Sequence, residues 1–237
     1  MSSFPIPIRI QTGLSVILSI AVDLLVGTVF ALILSTTPNN PVRLLLQNQY
    51  VGYRTKLMVF AVLAFVLGFS FTLLGDIIIR YFVRGLFFPK STRQKMIKIH
   101  SPYQANIEII TQAFDWHTSS ANIKLPPPGQ TKQETPIDRN YAMVGTLLKH
   151  YTSLYKDIAN EYWLLRARRD FASGTFVALT FAAIWVSPWR RVLLLCSMTF
   201  AIFTWYLSFL GTRSYGYLIS VGYFRERNIS NSQPFEK

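Results

Sequence analysis

Four long apolar runs dominate this sequence and leave it few folds. Gly13 to Ser35 reads GLSVILSIAVDLLVGTVFALILS, with one charge at Asp23. Leu57 to Ile79 is uncharged until Asp76. Phe171 to Ser187 is shorter but uncharged, and Val192 to Thr212 carries no charge either. A bilayer core about 30 Å thick is crossed by roughly 20 apolar residues in a helix. The runs therefore define four expected spans, over about 13–35, 57–79, 171–187 and 192–212. The first is too long for a signal-peptide core and is followed by no convincing A-x-A site, so it is expected to be retained.

Charge sorts the rest of the chain. Only 15% of residues are charged, against about 25% in an ordinary soluble domain. Those charges are lopsided, 24 Lys+Arg to 11 Asp+Glu, for a net +13. High hydrophobicity excludes intrinsic disorder. A single cysteine excludes an intrachain disulfide framework. The apolar runs argue against a basic soluble nucleic-acid binder. With four spans, 19 of the 24 basic residues fall on the side shared by both termini and the middle region. The positive-inside rule makes that side cytoplasmic and predicts a multi-pass protein of the inner membrane. Trp185 and Trp189 beside Arg190 and Arg191 suit the outer interface, and Trp163 approaches the inner one.

The expected fold class is all-α: a polytopic membrane protein with four transmembrane helices and a cytoplasmic helical hairpin or stalk between spans two and three. Its segments are a transmembrane hairpin at 1–80, a cytoplasmic helical region at 81–170, a second transmembrane hairpin at 171–212 and a cytoplasmic extension at 213–237. In the middle region, Ile137, Tyr141, Val144, Leu148, Tyr151, Tyr155, Ile158, Tyr162 and Leu165 recur at alternating spacings of four and three. That is an a/d seam, the pattern of helix-on-helix packing. Thr135 as N-cap, Pro136 and Asp138 mark the helix start. With no proline from Ile137 to Ser187, the stalk is expected to run into span three as one helix of about 50 residues and about 75 Å. A second helix starts at Ser101, Pro102 and Gln104, and carries Tyr103, Ile107, Ile110 and Phe114 on one face. The Pro-rich loop 124–136 joins the two. The seam serves either a hairpin within one chain or the packing of stalks from several subunits. The segment Ser230 to Lys237 is expected to be a frayed tail.

Two groups of residues invite a functional reading. Arg80, Arg84, Lys90, Arg93, Lys95 and Lys98 cluster without an acid, interleaved with Tyr81, Phe82, Phe87 and Phe88. Such a cluster beside a span binds anionic lipid headgroups, or takes an anionic ligand such as a nucleotide or oligonucleotide. In span one, Ser15, Ser19, Asp23 and Gly27 recur every four residues. This stripe either packs helices closely through small residues or lines a pore, with Asp23 the intramembrane charge expected to matter. Asp76 is expected to pair with Arg80 one turn on.

Little else suggests chemistry. His100, His117 and His150 lack metal-ligand spacing, Cys196 is alone, and phosphate-loop and nucleophile-elbow patterns are absent. No metal, cofactor or enzyme activity is expected. The four spans, the basic stretch Arg80 to His100 and the stalk Asp138 to Arg169 together resemble small multi-pass effectors of bacterial anti-phage defence. The resemblance is one of layout and implies no site residues. It implies an oligomeric pore gated through the cytoplasmic helices by a nucleotide, oligonucleotide or partner signal. The expected function is therefore a homo-oligomeric channel or pore-forming effector. The alternative is a membrane anchor or adaptor that recruits a soluble protein partner.

Overall fold

The computed structural model describes residues 13–37, 40–83, 103–119, 136–186 and 189–232. It is all-helical, with no strand among the described residues. The helices are α1 (Gly13–Ser35), α2 (Pro41–Gln47), α3 (Tyr53–Val83), α4 (Tyr103–Ser119), α5 (Pro136–Leu154), α6 (Lys156–Trp185) and α7 (Arg190–Ser232). α1 has the bounds of the first apolar run. α2 is a short helix between the first two runs, capped by Asn40, whose Oδ1 accepts from the Val42 N–H at 2.9 Å.

Three described helices are long and apolar enough to cross a membrane: α1 over Ser15–Ser35, α3 over Tyr53–Ile79, and α7 within Arg190–Asn228. The expected span at 171–187 lies in α6. There the uncharged stretch Phe171–Trp185 follows directly on Arg168, Arg169 and Asp170, which shortens its apolar length.

Two further expectations change. The stalk and span three do not form one uninterrupted helix, because the helix breaks at Tyr155. Two hydroxyls just before the break bond backward. Thr152 Oγ1 donates to the Leu148 carbonyl at 2.7 Å, and Ser153 Oγ donates to that of His150 at 2.6 Å. Such bonds compete with the helical ladder and bend it. The chain direction is kept, since the Tyr155 N–H still reaches the Tyr151 carbonyl and the Ala159 N–H that of Tyr155. At the other end, α7 continues through Ser230 to Ser232 instead of fraying from Ser230.

The chain divides into two compact units. α4, α5, the start of α6 through Trp163 and α7 from Leu210 form unit one. α1, α2, α3, α6 from Leu164 and α7 up to Phe209 form unit two. Thus α6 and α7 each belong to both.

In unit two, α1 and α3 approach closely through small residues. A Cβ on Gly27 would overlap the Ala64 carbonyl, and one on Gly68 would overlap that of Asp23. Only glycine permits this backbone contact, as in small-xxx-small interfaces. α6 packs the same way: Gly75 of α3 faces Ser173, and Gly174 faces Thr72 and Val26. The core gathers Val22, Val26 and Phe30 from α1, Phe71 from α3, Val177 to Leu179 from α6, and Leu193 from α7. Phe30 and Phe71 meet edge to face at 4.7 Å, a geometry worth about 0.5–1.5 kcal/mol beyond area burial. The apolar half of α6 is rich in buried alanine, with Ala172, Ala178, Ala182 and Ala183 all inside. It is hydrophobic in the manner of a core helix, which needs small residues more than long ones.

In unit one, Ile110 and Phe114 of α4, Leu147 and Tyr151 of α5, Ile158 of α6 and Ile219 of α7 are buried. Four seam residues, Val144, Leu148, Tyr151 and Ile158, are buried here. Tyr155 and Tyr162 are half-buried, and Tyr162 packs on Tyr215 of α7 at 5.5 Å. Leu165 is half-buried in unit two. The side chains of Ile137 and Tyr141 lie outside the described residues.

Candidate functional site

A polar cluster in unit one joins three helices. His117 comes from the last turn of α4. His150 and Tyr151 are adjacent on α5, and Glu226 comes from α7. Neighbours on a helix point about 100° apart. The two α5 residues therefore reach His117 from different sides. Tyr151 can lie deep because residue 222 of α7 is glycine: a Cβ there would stand 2.5 Å from Tyr151 Cγ.

His117 is fully buried. Its Nε2 lies 2.9 Å from the Tyr151 hydroxyl and 3.3 Å from Glu226 Oε2. His150 Nε2 lies 3.3 Å from the same Glu226 oxygen and 3.4 Å from Oε1. The two imidazoles are edge to face, with centroids 4.5 Å apart. Trp116 covers the cluster, 4.7 Å from the His117 ring and 6.1 Å from Tyr223. His117 Nδ1 is buried with no hydrogen-bond partner.

Burial fixes the protonation states. It lowers the His117 pKa to about 4, helped by the neighbouring His150, so the imidazole is neutral near pH 7. Burial, with the Glu226 carboxylate second, pushes the Tyr151 phenol upward, so it keeps its proton. The site thus holds a neutral imidazole, a neutral phenol, a second imidazole and a carboxylate. His117, His150 and Glu226 bring one ligating atom each within 4.8 Å of one another. Those donors suit a borderline divalent metal.

The sequence reading did not find this cluster. Its members are separated by up to 109 positions (117 to 226), and no local spacing links them. One signal was present: Tyr151 is a seam residue, and His150 precedes it directly.

The stripe in α1 is placed differently. Ser15 and Asp23 are buried, Gly27 is buried against Ala64, and Ser19 is half-buried. Asp23 Oδ1 accepts a hydrogen bond from Thr72 Oγ1 at 2.6 Å. The carboxylate therefore lies in the α1–α3 interface. Asp76 pairs with Arg169 of α6 at 3.0 Å, and Arg169 also reaches Asp170 at 3.1 Å. Arg80 was the expected partner of Asp76, but its side chain lies outside the described residues. So do Arg84, Lys90, Arg93, Lys95, Lys98 and His100.

No family model matches the chain, and no curated protein or solved structure matches it either.

Proposed function

We propose that the chain is a four-span membrane protein whose unit two anchors a cytoplasmic helical head, unit one, for contact with a soluble partner. In this reading the apolar half of α6 is the fourth span, and both termini face the cytoplasm. The supporting observation is the distribution of polar side chains in unit two. Ser15, Asp23, Thr72, Ser173 and Ser197 turn inward, while Ile17, Leu25, Leu32, Met58, Val62 and Ile202 cover the outside. An apolar exterior suits lipid. A pore built between subunits needs a polar outer stripe, and Asp23, the residue best suited to line one, faces Thr72 within the chain. α6 and α7 run through both units, so a partner bound to the head acts on helices that continue into the anchor.

One observation favours the channel reading as a second possibility. The hydroxyls of Thr175, Thr204 and Ser208 are buried in unit two without hydrogen-bond partners. Buried polar groups of that kind are satisfied by ordered water, and a chain of waters inside a helix bundle is a route for ions. On this reading the chain is an effector of the anti-phage type, and its anionic signal binds the basic stretch Arg80 to His100.

One preparation separates the two. Full-length protein is purified in nanodiscs, its mass is measured by light scattering, and it is fused into planar bilayers. The anchor gives a monomer or dimer and no current with or without added nucleotides. A larger ring that conducts overturns the anchor and leaves the channel.

A further inference from the structure

We propose that His117, His150 and Glu226 form a binding site for a divalent transition metal of the zinc type. The metal would clamp α4 and α5 to α7 within unit one. An imidazole N–H donating to a carboxylate settles at about 2.7–3.2 Å. Here both His117 Nε2 and His150 Nε2 stop 3.3 Å from Glu226 Oε2. That separation is long for such a hydrogen bond. It matches the edge of a tetrahedron whose corners lie about 2.0–2.1 Å from its centre, an edge of about 3.3–3.4 Å. Two of the three ligand-atom separations have that spacing, and all three atoms, from three helices, lie within 4.8 Å of one another.

The donor chemistry agrees. Two imidazoles and one carboxylate are the set that zinc takes in open sites, and they disfavour magnesium or calcium, which prefer all-oxygen ligands. The fourth position falls to water, while the Tyr151 hydroxyl, 2.9 Å from His117 Nε2, stands at hydrogen-bond distance. Burial of His117 and the cover of Trp116 exclude bulk water from one side. The half-exposed His150 and Glu226 leave an entry path on the other.

The consequence is a head whose helices, already packed through an apolar core, are tied more firmly when metal is present. α4 and α5 are joined by a long Pro-rich segment, and α7 is remote in sequence. A metal bond among them stabilises the folded arrangement without needing a preformed site in the unfolded chain.

The test uses the full chain in detergent, with any polyhistidine tag removed, in a Cys196→Ser background. After chelation and dialysis, Co2+ is titrated and the visible d–d bands are followed, with metal content measured by mass spectrometry. The expected result is one Co2+ per chain with tetrahedral bands, displaced by Zn2+. His150→Ala and Glu226→Gln should each weaken binding at least about tenfold. His150→Cys covers the case in which those variants fail to fold. It keeps a ligand in place, and a thiolate-to-cobalt charge-transfer band appears only if position 150 touches the metal. Absence of Co2+ binding by the parent protein overturns the site. So does binding undiminished in the folded Ala and Gln variants, or a Cys variant that binds without the new band.

Discussion

Asp23 and Thr72 sit 49 positions apart, yet a hydrogen bond joins them across the α1–α3 contact. Interhelical hydrogen bonds in membrane proteins average about 0.6 kcal/mol and reach about 1.7. Removing the hydroxyl while keeping the acid is worse, because a buried acceptor then loses a donor at about 1–3 kcal/mol. Thr72→Val should therefore lower the unfolding temperature in detergent more than Asp23→Asn, whose amide oxygen still accepts from Thr72. Pairing Thr72→Val with Asp23→Leu should recover most of the loss. A thermal scan of the four proteins checks this, and equal losses for both single variants would sink it. The glycines at 27 and 68 belong to the same contact, since they set the backbone distance that lets the pair meet. From sequence, the four-residue spacing of Ser15, Ser19, Asp23 and Gly27 was visible. The face it met was not, because periodicity names a stripe and says nothing of its partner.

Helix positions were the most legible feature. Apolar run length and the proline at 136 are local properties, and α1 and the start of α5 follow them closely. The break at Tyr155 has no proline to announce it. Just before it, Thr152 and Ser153 bond to carbonyls one turn back. If those bonds cause the break, Thr152→Ala with Ser153→Ala should heal it. Spin labels at the exposed positions Lys149 and Glu161, twelve residues apart, report on this. Their backbone separation along a continuous helix is about 18 Å. The double variant should give a narrower distance distribution centred near that length, adjusted for the label arms. An unchanged distribution would show that the seam, not the hydroxyls, sets the bend. α6 carries a second lesson. Its fifteen uncharged residues from Phe171 to Trp185 read as a short span, and their alanine content goes with burial among other helices.

At the scale of the whole molecule, the balance of charge sets the expected orientation. Basic residues crowd the flanks that face the cytoplasm in the proposed topology. In a Cys196→Ser background, Arg43→Cys and Lys132→Cys place single thiols on opposite sides of the membrane. A membrane-impermeant maleimide should label position 43 in intact cells and position 132 only after permeabilisation. The reverse pattern would overturn the orientation, and labelling of both in intact cells would overturn the span count. A third thiol, Arg190→Cys, tests α6 as a span: it labels in intact cells only if α6 crosses, and labelling only after permeabilisation would remove the fourth span.

The sequence by itself determined that the chain is helical, that it holds runs able to cross a bilayer, and where most helices begin. These follow from length, period and caps, which are carried by neighbouring residues. Only the tertiary structure decided that Asp23 meets Thr72, that Asp76 meets Arg169, and that the ligating atoms of His117, His150 and Glu226 come within 4.8 Å of one another. Each of those contacts joins residues at least 33 positions apart. It depends on which faces of rigid helices pack together, and on glycines that let backbones close to contact. Helix packing is set by the summed shape of whole surfaces, so no local spacing in the chain announces it.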